Sequence, residues 1–295
     1  MLTFKINKAE TACEVTKCDK KATGTVTIPD TYSGKAVVSI GKDAFNGCEN
    51  MTDVIIPDSV EKIWLRAFAN CTGLTNIVIP DSVKIAGEKI FNSCTSLKSA
   101  VLSKNMRISG DYAFAGCTSL VSVTIPDGIK NIGADCFMDC TGLASVTIPK
   151  SLKRYNGAFW NCTGLTSVTF QNGLKFIAPG AFNACSGLIS ITIPESVQVI
   201  DMSAFRGCEG LTSVTIPEGV EEIHSYAFRW CTKLTSVTIP KTVVKMGDYV
   251  FEGCDKQLTI NVLELREKPE TWDDNWRGCE CKVIWDFGGK NIVEE

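Results

Sequence analysis

The sequence predicts a right-handed, mostly β solenoid, in which short coils of chain stack on one another. Three observations lead to this fold class. Cysteine recurs every 23 residues with a single step of 22, phenylalanine stands three residues before each of these cysteines, and apolar residues alternate with polar ones after each cysteine. The recurring cysteines are Cys48, Cys71, Cys94, Cys117, Cys140, Cys162, Cys185, Cys208, Cys231 and Cys254. We therefore expect about ten 23-residue rungs that form a parallel sheet.

The segment after each cysteine has the pattern of a short strand with one buried face. In a clean copy of the unit, Leu211 is followed by Val214 and Ile216, and Pro217 then ends the strand because proline has no N–H for the ladder. The pattern L-x-x-V-x-I matches the strand half of a leucine-rich repeat. Too few residues lie between Pro217 and Ala227 for a long helix, so the outer segments should be short, extended or 3₁₀-like.

Both ends of the chain depart from the repeat, as the end coils of a solenoid require. We predict an N-terminal β cap over 1–28, a leucine-rich repeat solenoid over 29–263 and a C-terminal Trp-rich cap over 264–295, together one structural domain. The tryptophans of the last segment, Trp272, Trp276 and Trp285, are expected to close the core, with ligand binding as the alternative.

Composition excludes several functional classes. The 295 residues carry a net charge of −3 and a pI near 5.5, so there is no basic surface for nucleic acid. No apolar run approaches the roughly 20 residues of a membrane span. Residues 1–21 lack the apolar region of a signal peptide.

The recurring cysteines are expected to be buried free thiols. In-register stacking places their side chains parallel and about 4.8 Å apart, which does not suit a disulfide. A metal ladder is the alternative, but no histidine is interleaved and the only histidine is His224. Near the N-terminus, Cys13 and Cys18 either form a disulfide or remain free thiols.

No catalytic, cofactor-binding or metal-binding constellation is found. His224 has no triad partner at a recognisable spacing, and the sequence contains no phosphate-binding or zinc-binding motif. We therefore expect no enzyme activity and no cofactor.

One face of the predicted sheet carries the candidate binding residues. Its outward positions hold a ladder of threonines, which serves either solubility and β propensity or the docking of a partner. These are Thr124, Thr147, Thr169, Thr192, Thr215 and Thr238. In three earlier rungs the same position holds Ile55, Val78 and Val101, an apolar stripe that is a candidate contact site unless the N-terminal cap or a second copy covers it.

Three tryptophans stand at turn positions that are otherwise small or polar. They are Trp64, Trp160 and Trp230. Such residues either pack over a neighbouring turn or serve as recognition anchors.

The unit from Ala204 and Phe205 through Cys208, Leu211, Val214, Ile216 and Pro217 resembles the BspA-like, or Treponema pallidum-type, leucine-rich repeat. The resemblance covers nearly the whole chain and implies the leucine-rich repeat solenoid of the α/β horseshoe class. It also implies a non-enzymatic protein-binding or adhesion module at a bacterial or protozoan cell surface, whose partner is a host matrix protein, a cell-surface protein or a glycan. The absence of a signal peptide leaves a cytoplasmic location as the alternative. A structural spacer or self-assembling scaffold is the alternative function.

Overall fold

The computed structural model describes residues 1–106 and 108–294, and the chain forms two compact units, Met1–Ala158 and Phe159–Glu295. The described residues form strands and turns, with no α-helix or 3₁₀-helix among them. The outer segments were expected to be extended or 3₁₀-like, and in the described residues they are extended. The mostly β, parallel solenoid predicted from the sequence is confirmed.

The described residues of the first unit form thirteen strands. They are β1 (Leu2–Ile6), β2 (Ala12–Cys18), β3 (Gly24–Thr27), β4 (Thr31–Tyr32), β5 (Lys35–Ile40), β6 (Met51–Ile55), β7 (Lys62–Ile63), β8 (Asn76–Val78), β9 (Ile85–Ala86), β10 (Ser99–Val101), β11 (Ile108–Ser109), β12 (Ser122–Thr124) and β13 (Ser145–Ile148). One sheet has the order β1, β2, β5, β7, β9, β11, with β4 also paired to β5. Separate short sheets join β8, β10 and β12 and join β3 to β6.

Residues 159–294, the described part of the second unit, form ten strands. They are β14 (Ser167–Phe170), β15 (Phe176–Ile177), β16 (Val199–Ile200), β17 (Ser213–Thr215), β18 (Glu222–Ile223), β19 (Ser236–Ile239), β20 (Lys245–Met246), β21 (Thr259–Leu263), β22 (Lys282–Phe287) and β23 (Lys290–Glu294). The outer two-residue strands form a sheet in the order β15, β16, β18, β20, and the longer ones form a second sheet in the order β17, β19, β21, β22, β23. The chain therefore alternates between two sheets, once per coil.

The 23-residue period of the sequence sets the register of the parallel strands. Val214 pairs with Val237 and Val237 with Ile260, so residues one repeat apart lie side by side in parallel strands. Because the side chains of a strand alternate between faces, this register places Val214, Val237 and Ile260 in one interior row.

Phenylalanine side chains form a continuous stack inside each unit. In the first unit the ring centroids of Phe68 and Phe91 are 5.1 Å apart and nearly parallel. In the second unit Phe205 lies 5.6 Å from Phe182 and 5.4 Å from Phe228. These distances are within the range of favourable offset stacking, so the rings stabilise the contact between coils.

The recurring cysteines are buried free thiols, as predicted, with only Cys254 partly exposed. The thiols of Cys71, Cys117 and Cys208 each donate to the backbone carbonyl of the phenylalanine 26 residues earlier, as from Cys208 Sγ to Phe182 O at 3.2 Å. In the first coil Cys48 Sγ instead donates to Asp19 O at 3.8 Å. Burial raises the pKa of the Cys117 thiol to about 12 and raises that of Cys208 well above its ordinary value. These thiols are therefore protonated donors, and the column is part of the core.

The N-terminal segment is the predicted hairpin, with β1 antiparallel to β2. Cys13 and Cys18 are both free and buried, so the free-thiol alternative holds for this pair. The reason is that both lie on the single strand β2, where five residues of extended chain separate them by roughly 16 Å.

The three tryptophans of the C-terminal segment are buried, as expected. Trp272 lies 5.0 Å from Trp276 and 6.1 Å from Trp285 between ring centroids, and its Nε1 donates to Val243 O at 2.9 Å. They cover the end of the phenylalanine stack, where Trp276 meets Phe251 edge-on. A disulfide between Cys279 and Cys281, which the sequence reasoning did not predict, lies in the same segment. The exact limits of the two caps and of the solenoid stay a prediction.

Candidate binding surfaces

The apolar stripe lies on the outward face of β6, β8 and β10 in the first unit. Ile55, Val78 and Val101 are 52%, 62% and 40% exposed, whereas their strand neighbours Val54 and Ile77 are buried. Val78 and Val101 are register partners on adjacent strands. Three large apolar side chains in successive coils therefore face solvent.

The N-terminal cap does not cover this stripe. Strand β3 pairs with β6 so that Thr27 lies opposite Ile55, and the N–H of Ile28 donates to Ile55 O at 3.0 Å. These are main-chain contacts at the edge of the sheet, and the Ile55 side chain remains exposed beside them.

A shallow groove of about 700 Å³ adjoins the stripe where the strands end. Val78 and Val101 form part of its wall, and Asp58 and Asp81 lie on its rim. Lys104 Nζ lies 2.8 Å from Asp81 and lowers the pKa of that carboxyl by hydrogen bonding. Asp58 makes no ion pair with any residue that the structure describes. The groove therefore combines an apolar wall with one carboxylate that is available to a partner.

The threonines of the ladder are distributed over both units. Val101 pairs with Thr124 in the first unit, and Thr215 pairs with Thr238 in the second. Thr238 is partly exposed and the other members are exposed. They are Thr124, Thr147, Thr169, Thr192 and Thr215. Within each unit these side chains therefore reach solvent, and their part in binding stays a prediction.

The three turn tryptophans are each about two-fifths exposed and each has its own surroundings. Trp64 has Lys62 Nζ at 5.9 Å from its ring centroid. Trp160 and Trp230 line one groove of about 420 Å³ in the second unit. The indole of Trp230 has two guanidinium groups near its ring, with Cζ of Arg206 at 4.4 Å and Cζ of Arg229 at 4.3 Å.

His224 has two carboxylate partners that sequence reasoning missed. Its Nδ1 lies 2.9 Å from Asp201 Oδ1 and its Nε2 lies 2.8 Å from Glu222 Oε2, and Lys245 Nζ lies 3.1 Å from the same Glu222 oxygen. The available signal was the spacing, because Asp201 precedes His224 by one 23-residue repeat. Since both ring nitrogens are engaged, the imidazole has no free nitrogen for a substrate. The described residues include no group of three histidine, cysteine or acidic side chains placed to hold a metal.

The repeat geometry agrees with a comparison of the sequence with protein families. A model described as "BspA type Leucine rich repeat region (6 copies)" matches residues 38–163 and 154–268. The chain belongs to this family. The resemblance seen in the sequence is confirmed, and no curated protein matches the chain.

Solved structures of other BspA-type and leucine-rich repeat proteins have the same fold. A leucine-rich repeat protein from Bacteroides ovatus is 24% identical over 97% of this chain and 98% of its own, with a TM-score of 0.51. The T. pallidum leucine-rich repeat protein is 28% identical over 71% of this chain and 87% of its own, with a TM-score of 0.50. The pneumococcal vaccine antigen PcpA is 16% identical over 98% of this chain and 87% of its own, with a TM-score of 0.55.

Membership of the BspA-type family identifies the chain as a protein-interaction module of a repeat class that is typically non-enzymatic. Nowhere in the described residues does a helix have the length and apolarity needed to cross a membrane.

Proposed function

We propose that this BspA-type protein is a non-enzymatic adhesion module that engages a host or cell-surface protein through the outward face of its longer strands. The observation that carries the proposal is the exposed stripe of Ile55, Val78 and Val101. Contiguous apolar surface that is exposed to water is unfavourable, so burying it against a partner contributes favourably to the free energy of binding. An extracellular or cell-surface location belongs to the same proposal and rests on the family.

The stripe and its groove favour a protein partner over other classes. The apolar wall of Val78 and Val101 accepts aliphatic or aromatic side chains, and the unpaired Asp58 carboxylate beside it accepts a hydrogen bond from a lysine, an arginine or a backbone N–H. Thr124, the register partner of Val101, extends this contact with a hydroxyl group that donates and accepts hydrogen bonds.

The size of the contribution follows from the exposure of the three side chains. Full burial of a valine or isoleucine is worth about 1.5–3 kcal/mol, so burying the exposed half of each gives about 1 kcal/mol. The three together contribute about 3 kcal/mol, which corresponds to roughly a hundredfold in the dissociation constant.

The test is a binding assay on immobilised collagen, fibronectin and laminin and on whole host cells. The triple variant Ile55→Ser, Val78→Ser, Val101→Ser should weaken any binding of the wild type by roughly a hundredfold. The matched control is the double variant Ile189→Ser, Val244→Ser. These two β-branched apolar residues lie outside the stripe and are 58% and 56% exposed, so their replacement should leave binding unchanged.

Two outcomes would contradict the proposal. If the triple variant binds as tightly as the wild type, the stripe is not the contact surface. If the wild type binds none of these surfaces and light scattering shows a mass that grows with concentration, the scaffold alternative replaces adhesion, and loss of that growth in the triple variant would assign the stripe to a second copy of the chain.

A further inference from the structure

The groove between Trp160 and Trp230 lies in the second unit and is separate from the apolar stripe. Trp160, Asn183 and Arg206 occupy the same repeat position in three successive coils, since 23 residues separate each from the next. The coils of Asn183 and Arg206 therefore lie between the two indoles, and coils of a parallel sheet are about 4.8 Å apart. Ala184 and Gly207 form the floor there. The gap therefore has the width of one extended chain.

Trp230 stands at a corner where the backbone is left-handed. Its φ is +61°, and the equivalent residues one coil before and after are Gly207 and Gly253, each at +71°. The same corner is left-handed in other coils and holds smaller residues there, such as Asn161 and Ala184, so Trp230 differs from them by the size of its side chain. The indole is also held in place, because a Cβ on Gly253 would come within 2.2 Å of its Cδ1. A preorganised aromatic of this kind loses little freedom on binding.

Arg206 is the uncompensated cation of the groove. Its guanidinium carbon lies over the Trp230 ring, yet the side chain makes no hydrogen bond or ion pair with any described residue. The neighbouring Arg229 differs, since its Nε lies 2.7 Å from Glu252 Oε2. Glu209 also lines the groove and is exposed, without an ion pair to Arg206. The N–H edges of the Arg206 guanidinium are therefore free to bind a carboxylate in bidentate geometry.

We propose that this groove binds an acidic segment of a protein partner, with an aspartate or glutamate carboxylate on Arg206 and flanking apolar side chains on Trp160 and Trp230. Tryptophan and arginine are the residues on which binding energy concentrates in protein interfaces. Ala184 and Gly207 supply no side-chain hydrogen-bonding groups, and the polar side chains of the lining are Asn183, Arg206, Glu209 and Thr232. The guanidinium of Arg206, which pairs with no carboxylate of the described residues, favours an acidic peptide, and binding of an acidic saccharide is an outcome of the test below.

The test uses the full chain and three fluorescein-labelled peptides of alternating leucine with glutamate, glutamine or lysine, measured by fluorescence anisotropy. The glutamate peptide should bind saturably, and the glutamine and lysine peptides should bind at least about tenfold more weakly, because the charge-assisted pair is lost. Arg206→Gln and Trp160→Ala should each weaken binding of the glutamate peptide by about tenfold or more. Glu209→Gln should tighten it, because one repelling carboxylate is removed.

Matched controls distinguish the groove from general surface effects. Trp64→Ala removes a tryptophan of similar exposure in the first unit, and Lys233→Gln removes an exposed cation of the second unit outside the groove lining. Both variants should bind the glutamate peptide as the wild type does. The triple stripe variant should also do so, and the two proposals can therefore fail separately.

Three results would overturn this assignment. One is the absence of saturable binding by the glutamate peptide, and another is equal binding of the glutamate and glutamine peptides. The third is retention of binding in Arg206→Gln when circular dichroism shows that the variant is folded. Binding of an oligogalacturonate in place of the peptide would assign the groove to an acidic saccharide instead.

Discussion

Replacement of Phe205 measures how much the stacked rings hold the coils together. Phe205 is fully buried and lies between Phe182 and Phe228, with interplanar angles of 10° to both. Phe205→Ala leaves a cavity and should reduce the free energy of unfolding by about 3–5 kcal/mol. Phe205→Leu retains most of the apolar volume but removes two stacked pairs of about 0.5–1.5 kcal/mol each, so it should cost about 1–3 kcal/mol.

Urea unfolding, followed by tryptophan fluorescence and by far-ultraviolet circular dichroism, gives these values. Coincident transitions by both probes are required, because repeat arrays lose two-state behaviour when neighbouring coils uncouple. Phe287→Leu is the control, since Phe287 is 41% exposed and lies outside the stack, where a substitution should cost under about 1 kcal/mol. If Phe205→Leu is no more destabilising than Phe287→Leu, the stack does not stabilise the fold in the way argued here.

Three further predictions concern thiols, a surface ion pair and the C-terminal cap. Iodoacetamide at pH 8 should modify Cys254, the one partly exposed thiol of the column, before Cys117 or Cys208. Intact-protein mass spectrometry of native and urea-treated samples measures this difference. Ready labelling of the whole column in the native protein would contradict the burial argument. The hydrogen bond from Arg66 lowers the pKa of Asp43, so this pair stabilises the folded state above the ordinary aspartate pKa, and the stabilisation is lost as pH falls through the lowered folded value. Arg66→Gln should therefore raise the NMR-measured pKa of Asp43 toward 3.8, and an unchanged titration curve would contradict the assignment. Trp272→Phe removes the buried donor to Val243 O and should cost about 1–3 kcal/mol in the same urea assay, whereas a neutral result would show that the cap tryptophan does not hold the last coil through that bond.

The regular part of the fold was predictable because one number determines it. A 23-residue period places Val214, Val237 and Ile260 side by side, and the same period aligns Phe205 with Phe228. Once coils are in register, the alternation of the strand decides which residues are buried. The cysteine column followed from the same reasoning, although its hydrogen bonds to phenylalanine carbonyls depend on a backbone geometry that the period alone does not contain.

For the candidate sites, the sequence predicted the positions of the residues on the repeat but not their exposure or their contacts. The sequence placed Ile55, Val78 and Val101 on one face, but whether β3 covers them depended on how the N-terminal hairpin leads into the first coil. For His224 the repeat spacing to Asp201 was present in the sequence. The contact with Glu222 was not predictable, because Glu222 precedes His224 by only two residues in the same coil and the direction of its side chain depends on the turn.

The groove of the second unit shows why a repeat protein carries its specificity in its exceptions. A uniform coil offers every partner the same ladder, so the threonine face alone has no feature that sets one coil apart from the next. Trp230 breaks that uniformity at a left-handed corner whose equivalents in the adjacent coils, Gly207 and Gly253, are glycines, and Arg206 breaks it by leaving a guanidinium without a carboxylate. The interior varies among apolar residues, as with Ile90 and Val250 at the position of Ala227, because every coil must fit its neighbours. The corner can hold polar or aromatic side chains while its backbone is retained, so residues that depart from the repeat at a corner are the first candidates for recognition.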